Sequence, residues 1–295
     1  MISYDILIIG HPSKDTNVEH TGESRLCVGG AVIFSVHSAV SCSANVGAVM
    51  KYAPEDVYLA EDIPLAPRDM YYLYSESTVS IRNEYLSADR ERRLCEAISV
   101  AEPVTVGELP PVGAKVFQLA SLMRGDFDPD VIIELSKRGK VAVDAQGLLR
   151  CVEESGIMVF RDWPEKEKYL PYITYFKADA AEAEILTGFT DTRKAAALIR
   201  EWGAAEVLVS HNTEMLVCAS EGVSSWPVVS RNTSGRTGRG DTIFAAYITE
   251  RQRAGVDDAL RFATAAVSLK METPTPLKAT RSEIEAYMRE FLPEK

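Results

Sequence analysis

Gly235-Arg236-Thr237-Gly238-Arg239-Gly240-Asp241 runs straight into the apolar pattern Phe244, Tyr247, Ile248. A glycine-rich turn that feeds a helix points backbone N–H groups at one spot, and the helix dipole adds positive potential there. Such a turn suits an anion, above all the charge that spreads over a phosphoryl group in transfer. Asp241, at the first helical position, is placed to take a proton from an incoming hydroxyl, a role worth about 10²–10⁴ in rate. The spacing of Gly235 and Gly240 imitates a Walker A loop, but Asp241-Thr242 stands where Lys-Ser/Thr is needed. The plain alternative is a tight turn whose Asp caps a helix, and a bare Gly-x-Gly-Asp fits that at least as well. Arg239-Gly240-Asp241 also spells an integrin-type tripeptide, which reads as a coincidence in a chain expected to be cytosolic.

Outward from this junction, the chain reads as alternating strands and helices. Helical patterns follow at 241–253, 257–270 and 281–291. Upstream, short β-rich runs at 4–9, 115–120, 140–144, 173–177 and 206–210 alternate with helical patterns at 31–41, 129–138, 180–187 and 192–202. This alternation predicts an α/β fold, a mostly parallel sheet with helices on both faces. One region differs. Residues 70–74 and 78–85 are alternating and aromatic-rich with no helix between them, and 25–28 is a short partner run. They predict a small β lid able to exclude water from a phosphoryl-transfer site. Periodicity alone fits an ordinary edge hairpin equally well.

Composition narrows the class. The 295 residues are 46% hydrophobic, enough for a real core, and carry a net charge of −11. That charge argues against nucleic acid as a partner, since a binder needs a basic face to displace counterions. Arg90, Arg92 and Arg93 cluster but have acidic neighbours, which reads as a solvated face. Five scattered cysteines without a Cys-x-x-Cys pair, and four histidines without ligand spacing, argue against disulfides and zinc. The N-terminus lacks a secretory pattern, and no apolar run reaches the ~18 residues of a membrane span. The expected compartment is the cytoplasm, with no membrane partner.

The junction resembles the C-terminal signature of the ribokinase-like (phosphofructokinase-B type) carbohydrate kinases, which ends in Gly-Ala-Gly-Asp. The resemblance makes Asp241 the catalytic base and the amides of Gly238, Arg239 and Gly240 the anion hole. The family's Ala is Arg239 here, a change that backbone amides survive. The family's leading Asp is Gly235 here, which leaves a monovalent-cation site unsupported. A second block, Asp179-Ala180-Ala181-Glu182 leading to Leu186-Thr187-Gly188, resembles the family's Asn-x-x-Glu segment. It implies Mg²⁺ placed by Glu182 through water, with Asp179 near the phosphates of ATP. The same residues also have capping-box spacing, with Gly188 as the helix stop, and both readings can hold together.

The substrate side completes the likeness. Asp15, after the first strand, matches an Asp that binds substrate hydroxyls, and Gly29-Gly30 matches the glycine pair against the substrate. Phe34 replaces an Asn found in many sugar kinases, so ribose and fructose are not the obvious substrates. Gly29-Gly30-Ala31-Val32-Ile33-Phe34-Ser35 and Asp144-Ala145-Gln146-Gly147-Leu148-Leu149-Arg150 look closer to the inositol-kinase branch, as does the lid-like 78–94. Gln146 and Arg150 become substrate contacts by that resemblance, and a polar strand-end loop by the plain reading. One block departs: Ser210 to Met215 stands where the family has a nucleotide-contacting Thr-x-Gly-x-x-Gly turn. Ser210 keeps a hydroxyl, Asn212 tolerates the first glycine's backbone, and Met215 replaces the second glycine.

The resemblance implies one ribokinase-like domain over residues 1–295, with lid strands at about 14–28 and 70–97. It implies ATP- and Mg²⁺-dependent phosphorylation of a sugar or cyclic polyol, myo-inositol first. A nucleoside kinase and a kinase-fold regulatory protein are the alternatives. Lids in this family sometimes pair between subunits, which leaves room for a homodimer through the lid.

Overall fold

The computed structural model describes residues 2–87, 93–232 and 234–294. In chain order the strands are β1 (Ser3–Gly10), β2 (Ser13–Val18), β3 (Ser24–Gly29), β4 (Val46–Tyr52), β5 (Met70–Tyr74), β6 (Val79–Tyr85), β7 (Arg93–Ser99), β8 (Gly113–Ala120), β9 (Lys140–Asp144), β10 (Arg150–Val152), β11 (Met158–Phe160), β12 (Tyr175–Asp179), β13 (Glu206–Ser210), β14 (Glu214–Ala219) and β15 (Gly222–Pro227). The α-helices are α1 (Ala31–Ser41), α2 (Asp130–Ser136), α3 (Gln146–Leu149), α4 (Lys166–Tyr169), α5 (Ala180–Thr187), α6 (Thr192–Glu201), α7 (Arg239–Glu250), α8 (Val256–Met271) and α9 (Arg281–Phe291).

Nine strands form one sheet in the order β15-β14-β13-β12-β9-β8-β1-β4-β5. From β13 to β5 every neighbouring pair is parallel, and β14 and β15 close one edge as antiparallel strands. Helices cover both faces, which is why the strands read as nearly continuous apolar runs. On β1, Ile6 and Ile8 pack into one core with Val36 of α1, Phe244 of α7 and Phe262 of α8. Leu7 and Ile9, pointing the other way, pack with Leu135 of α2 and Ile199 of α6. The expected three-layer α/β architecture is the one observed. Among the described residues no helix is long and apolar enough to cross a membrane.

The register positions the polar residues. Lys177 pairs with Asp144, and Asp179 pairs with Ser210. These side chains gather at the carboxyl ends of parallel strands, the edge where ligands bind in open α/β sheets.

Four strands form a separate small sheet in the order β3-β2-β6-β7. Asp15 pairs with Cys27 and Ile81, Asn83 with Cys95, and Tyr85 with Arg93. These residues share one face. The other face exposes Leu26, Val28, Leu94 and Ile98, so a one-residue slip of register would exchange the two.

Several expectations are corrected. Residues 70–74 do not join the small sheet; β5 pairs with β4 at the edge of the main sheet. An alternating aromatic pattern marks any strand with one open face, and the exposed Tyr72 and Tyr74 satisfy it there. The strand expected at 173–177 runs two residues later, so Asp179 ends β12 and starts α5. Helix α7 begins at Arg239, which makes Asp241 the third helical residue rather than the first. Of the basic cluster, Arg90 and Arg92 lie outside the described residues. Arg93 belongs to a pocket-facing position of β7, not to a solvated face alone.

Candidate active site

The carboxyl ends of β9, β12 and β13, the inner face of the small sheet and the N-termini of α1 and α7 enclose a cavity of about 660 Å³. From the small sheet come Asp15, Asn83 and Arg93. Ser13 Oγ donates to Asp15 Oδ1 at 2.7 Å, and burial pushes the Asp15 carboxyl up. Gly29 stands behind Asp15 rather than in the cavity wall. A Cβ there would fall 2.4 Å from Asp15 Oδ2, so only glycine lets β3 lie this close. Gly30 caps α1 and lines the cavity. Arg150, buried at the start of β10, donates to Gln146 Oε1 at 3.1 Å. Burial first, then the charge of Arg93, pulls its pKa down.

At the centre, Lys177 is buried in β12 between the apolar Phe176 and Ala178. Its Nζ lies 3.0 Å from Asp144 Oδ2 and 3.6 Å from Glu182 Oε2. Burial opposes the ammonium charge, but Asp144, Glu182 and Asp179 outweigh it and hold the pKa above the ordinary lysine value. Asp179 Oδ1 accepts from Glu182 N at 2.8 Å, and Glu182 Oε2 accepts from Asp179 N at 2.7 Å. The capping box and the cavity wall are thus the same two residues. Burial raises the Glu182 carboxyl, and Lys177 pulls it back.

On the α7 side, Gly238 caps the helix with φ 77°, a left-handed conformation that favours glycine. A Cβ there would also fall 2.1 Å from the ring of Phe34, so α1 and α7 meet at this point. A Cβ at Gly240 would fall 3.0 Å from Lys177 Nζ, so Lys177 lies close against this turn. The amide of Arg239 is bonded to the Arg236 carbonyl at 3.3 Å. The amides of Gly240 and Asp241, in the first turn, have no carbonyl one turn back within the helix. Arg239 therefore reaches the cavity chiefly with its side chain. Arg236 and Arg239 both donate to Asn212 Oδ1, at 3.2 and 2.7 Å. Asn212 does not line the cavity; it gathers two arginines that do. The β13–β14 turn that carries it is closed by His211 N on Glu214 O at 2.9 Å, and Met215 is fully buried in the core. Ser210 lines the cavity at the end of β13. Burial, then the Asp144 charge, pushes the Asp241 carboxyl up to about 7 against the pull of Lys177 and Arg150.

The family model of the pfkB family carbohydrate kinases matches residues 113–281. The chain belongs to that family. Among solved structures, it resembles a pyrophosphate-dependent kinase in the ribokinase family complexed with a pyrophosphate analog and myo-inositol. The identity is 33%, covering 95% of this chain and 99% of the other, with a TM-score of 0.86. A pyrophosphate-dependent myo-inositol-1 kinase converted into a myo-inositol-3 kinase by two substitutions matches at 32% identity, over 97% and 99%, with a TM-score of 0.85. Both lie in the inositol-kinase branch that the sequence resembles. Ribokinase from Arabidopsis thaliana, complexed with ribose and ATP, matches at 15% identity over 98% and 99% with a TM-score of 0.76, a likeness of fold. A search of curated proteins found no match.

This pfkB kinase is accordingly a phosphotransferase acting on a hydroxyl of a sugar or polyol. Among the site residues expected from sequence, Gly29 and Asn212 stand behind the cavity and the others line it. Sequence reasoning missed Asn83, Asp144, Lys177 and Arg236. A lysine inside a buried strand carried a signal, because burying an ammonium is costly without partners. Asp144, ending a parallel strand, carried another.

Proposed function

We propose that this pfkB kinase moves a phosphoryl group from pyrophosphate to a hydroxyl of a cyclic polyol of the myo-inositol type. The donor choice rests on Arg236 and Arg239, gathered on Asn212 beside the first turn of α7. Paired guanidinium groups and helix amides suit a compact, highly charged phosphoanhydride. The β13–β14 turn, where the family likeness implies a nucleotide contact, is short and puts Met215 in the core. Two structural neighbours at 33% and 32% identity are pyrophosphate-dependent kinases, and one is complexed with myo-inositol. ATP, the donor implied by the wider family, is the competing reading.

In this mechanism Asp15, Asn83 and Gln146 hold the acceptor beneath the small sheet. Asp241 takes the proton of the attacking hydroxyl as its oxygen bonds to phosphorus. The bond from that phosphorus to the bridging oxygen breaks, and phosphate leaves against Arg236, Arg239 and the first-turn amides. Lys177 offsets charge between the two ends. Among the described residues no group of three or more His, Cys, Asp or Glu is arranged to hold a metal ion. Asp179 and Glu182, carboxylates at the cavity wall, are the residues that would hold Mg²⁺ there, and the ion would neutralise phosphate charge. The protein's own contribution is positioning and electrostatics, as phosphoryl transfer requires.

The test is product formation from pyrophosphate and from ATP, across inositols, pentoses, hexoses and nucleosides. The expected result is turnover with pyrophosphate and a cyclic polyol. Turnover with ATP while pyrophosphate is inert overturns the donor assignment. Preference for a nucleoside or a pentose overturns the acceptor.

A further inference from the structure

Lys270, in the last turn of α8, is 0% exposed. Its ammonium donates to the carbonyl oxygens of Gly235, at 2.9 Å, and Thr273, at 3.2 Å. It also lies 5.5 Å from the centre of the Phe34 ring. Burying an ammonium without a carboxylate bonded to it is unfavourable, and the helix C-terminus offsets only part. An aliphatic side chain would fill the space more cheaply.

The position of the charge explains its retention. Gly235 begins the segment that carries Arg236 and turns into α7. That segment is docked on the end of α8 by Gly235 N on Met271 O at 2.8 Å and Ser234 Oγ on Glu272 O at 2.9 Å. The Lys270 ammonium joins the same two segments through their carbonyls. The charged side chain that acts on it is Asp241 of α7, which holds its charge on, while burial pulls the Lys270 pKa down to about 8. Glu272, one step further along, is engaged by Arg231 at 2.7 Å.

We propose that Lys270 is a positioning residue for phosphoryl transfer, a built-in monovalent cation that pins residues 235–241 to the end of α8 and places Asp241 and the first-turn amides. This rests on the reading of Gly238, Gly240 and Asp241 as the phosphoryl end of the cavity. Two consequences follow. The enzyme needs no added potassium or ammonium. The pin weakens as pH rises through about 8, because a lysine with a lowered pKa is charged below that value and neutral above it.

The experiment compares wild type with Lys270→Met and Lys270→Gln in chloride salts of potassium, ammonium and choline. The assay uses pyrophosphate and myo-inositol, and melting temperature is read in parallel. Wild type is expected to be indifferent to the cation, with kcat/KM for pyrophosphate falling above pH 8. Lys270→Met is expected to lose about 10²-fold, the cost of a misplacement of about 1 Å. Potassium or ammonium, but not choline, should restore part of the rate and raise the melting temperature of the variant only. The melting result stands without turnover, so it separates this proposal from the choice of donor and acceptor. If neither variant folds, wild-type indifference to cations carries the proposal. A wild type activated by potassium, or a folded variant unmoved by any cation, overturns it.

Discussion

At the proposed acceptor end, Asp15, Asn83 and Arg93 reach the cavity from three strands of a small sheet. At the proposed donor end, residues 238–241 reach it from the first turn of one helix. The first end depends on register: three strands must pair in phase for three side chains to share a face. The second depends on backbone: amides, a helix dipole and two arginines drawn together by one Asn. Side chains set by register can be exchanged singly, which suits the recognition of a particular arrangement of hydroxyls. Backbone amides cannot, which suits the phosphoryl group that every turnover shares.

This contrast can be broken at several points. The largest effect is expected for Asp241→Asn, with kcat lower by about 10²–10⁴ and myo-inositol affinity by calorimetry unchanged. Wild-type kcat/KM should fall as pH drops through about 7, where the base becomes protonated. The sign for stability is opposite: a carboxyl with a raised pKa destabilises the fold once it ionises, so Asp241→Asn should melt higher than wild type at pH 8. Equal melting points would show that the carboxylate is not penalised by its site.

Arg239→Ala comes next. Loss of a hydrogen bond from a charged donor predicts about a 10- to 100-fold rise in KM for pyrophosphate with the polyol KM unmoved. Asp15→Asn should do the reverse, raising KM for the polyol by about tenfold and leaving the donor alone. If either substitution moves both constants together in steady-state kinetics, the two ends are not separable. The smallest effect is expected for Asn212→Ala, about fivefold in KM for pyrophosphate, since the arginines remain and lose only a shared anchor.

The parallel sheet was legible because buried strands and amphipathic helices alternate at lengths that leave little choice, as β1, β8 and β13 illustrate. β4 was missed because Gly47, Ala48 and Lys51 dilute its strand pattern, although all of it is buried. β5 was misplaced because alternation reports an open face but not which sheet offers it. Asp241 and its glycines were legible from a short local motif. Lys177 and Asp144 were not, because their meaning lies in pairing across two strands, 33 residues apart in sequence. Asn212 sits in a block that resembles a nucleotide-contacting turn, and only Arg236, just before α7, and Arg239, at its start, show that it lies one layer back.

Phe34 touches both halves of this arrangement: its ring lies against Gly238 and faces Lys270, while its helix opens at Gly30. A change of bulk at that position would disturb sugar-side and phosphate-side geometry in one stroke. Substitutions on the inner face of the small sheet reach the cavity without touching that ring, so a search for a changed acceptor preference has its freest ground there.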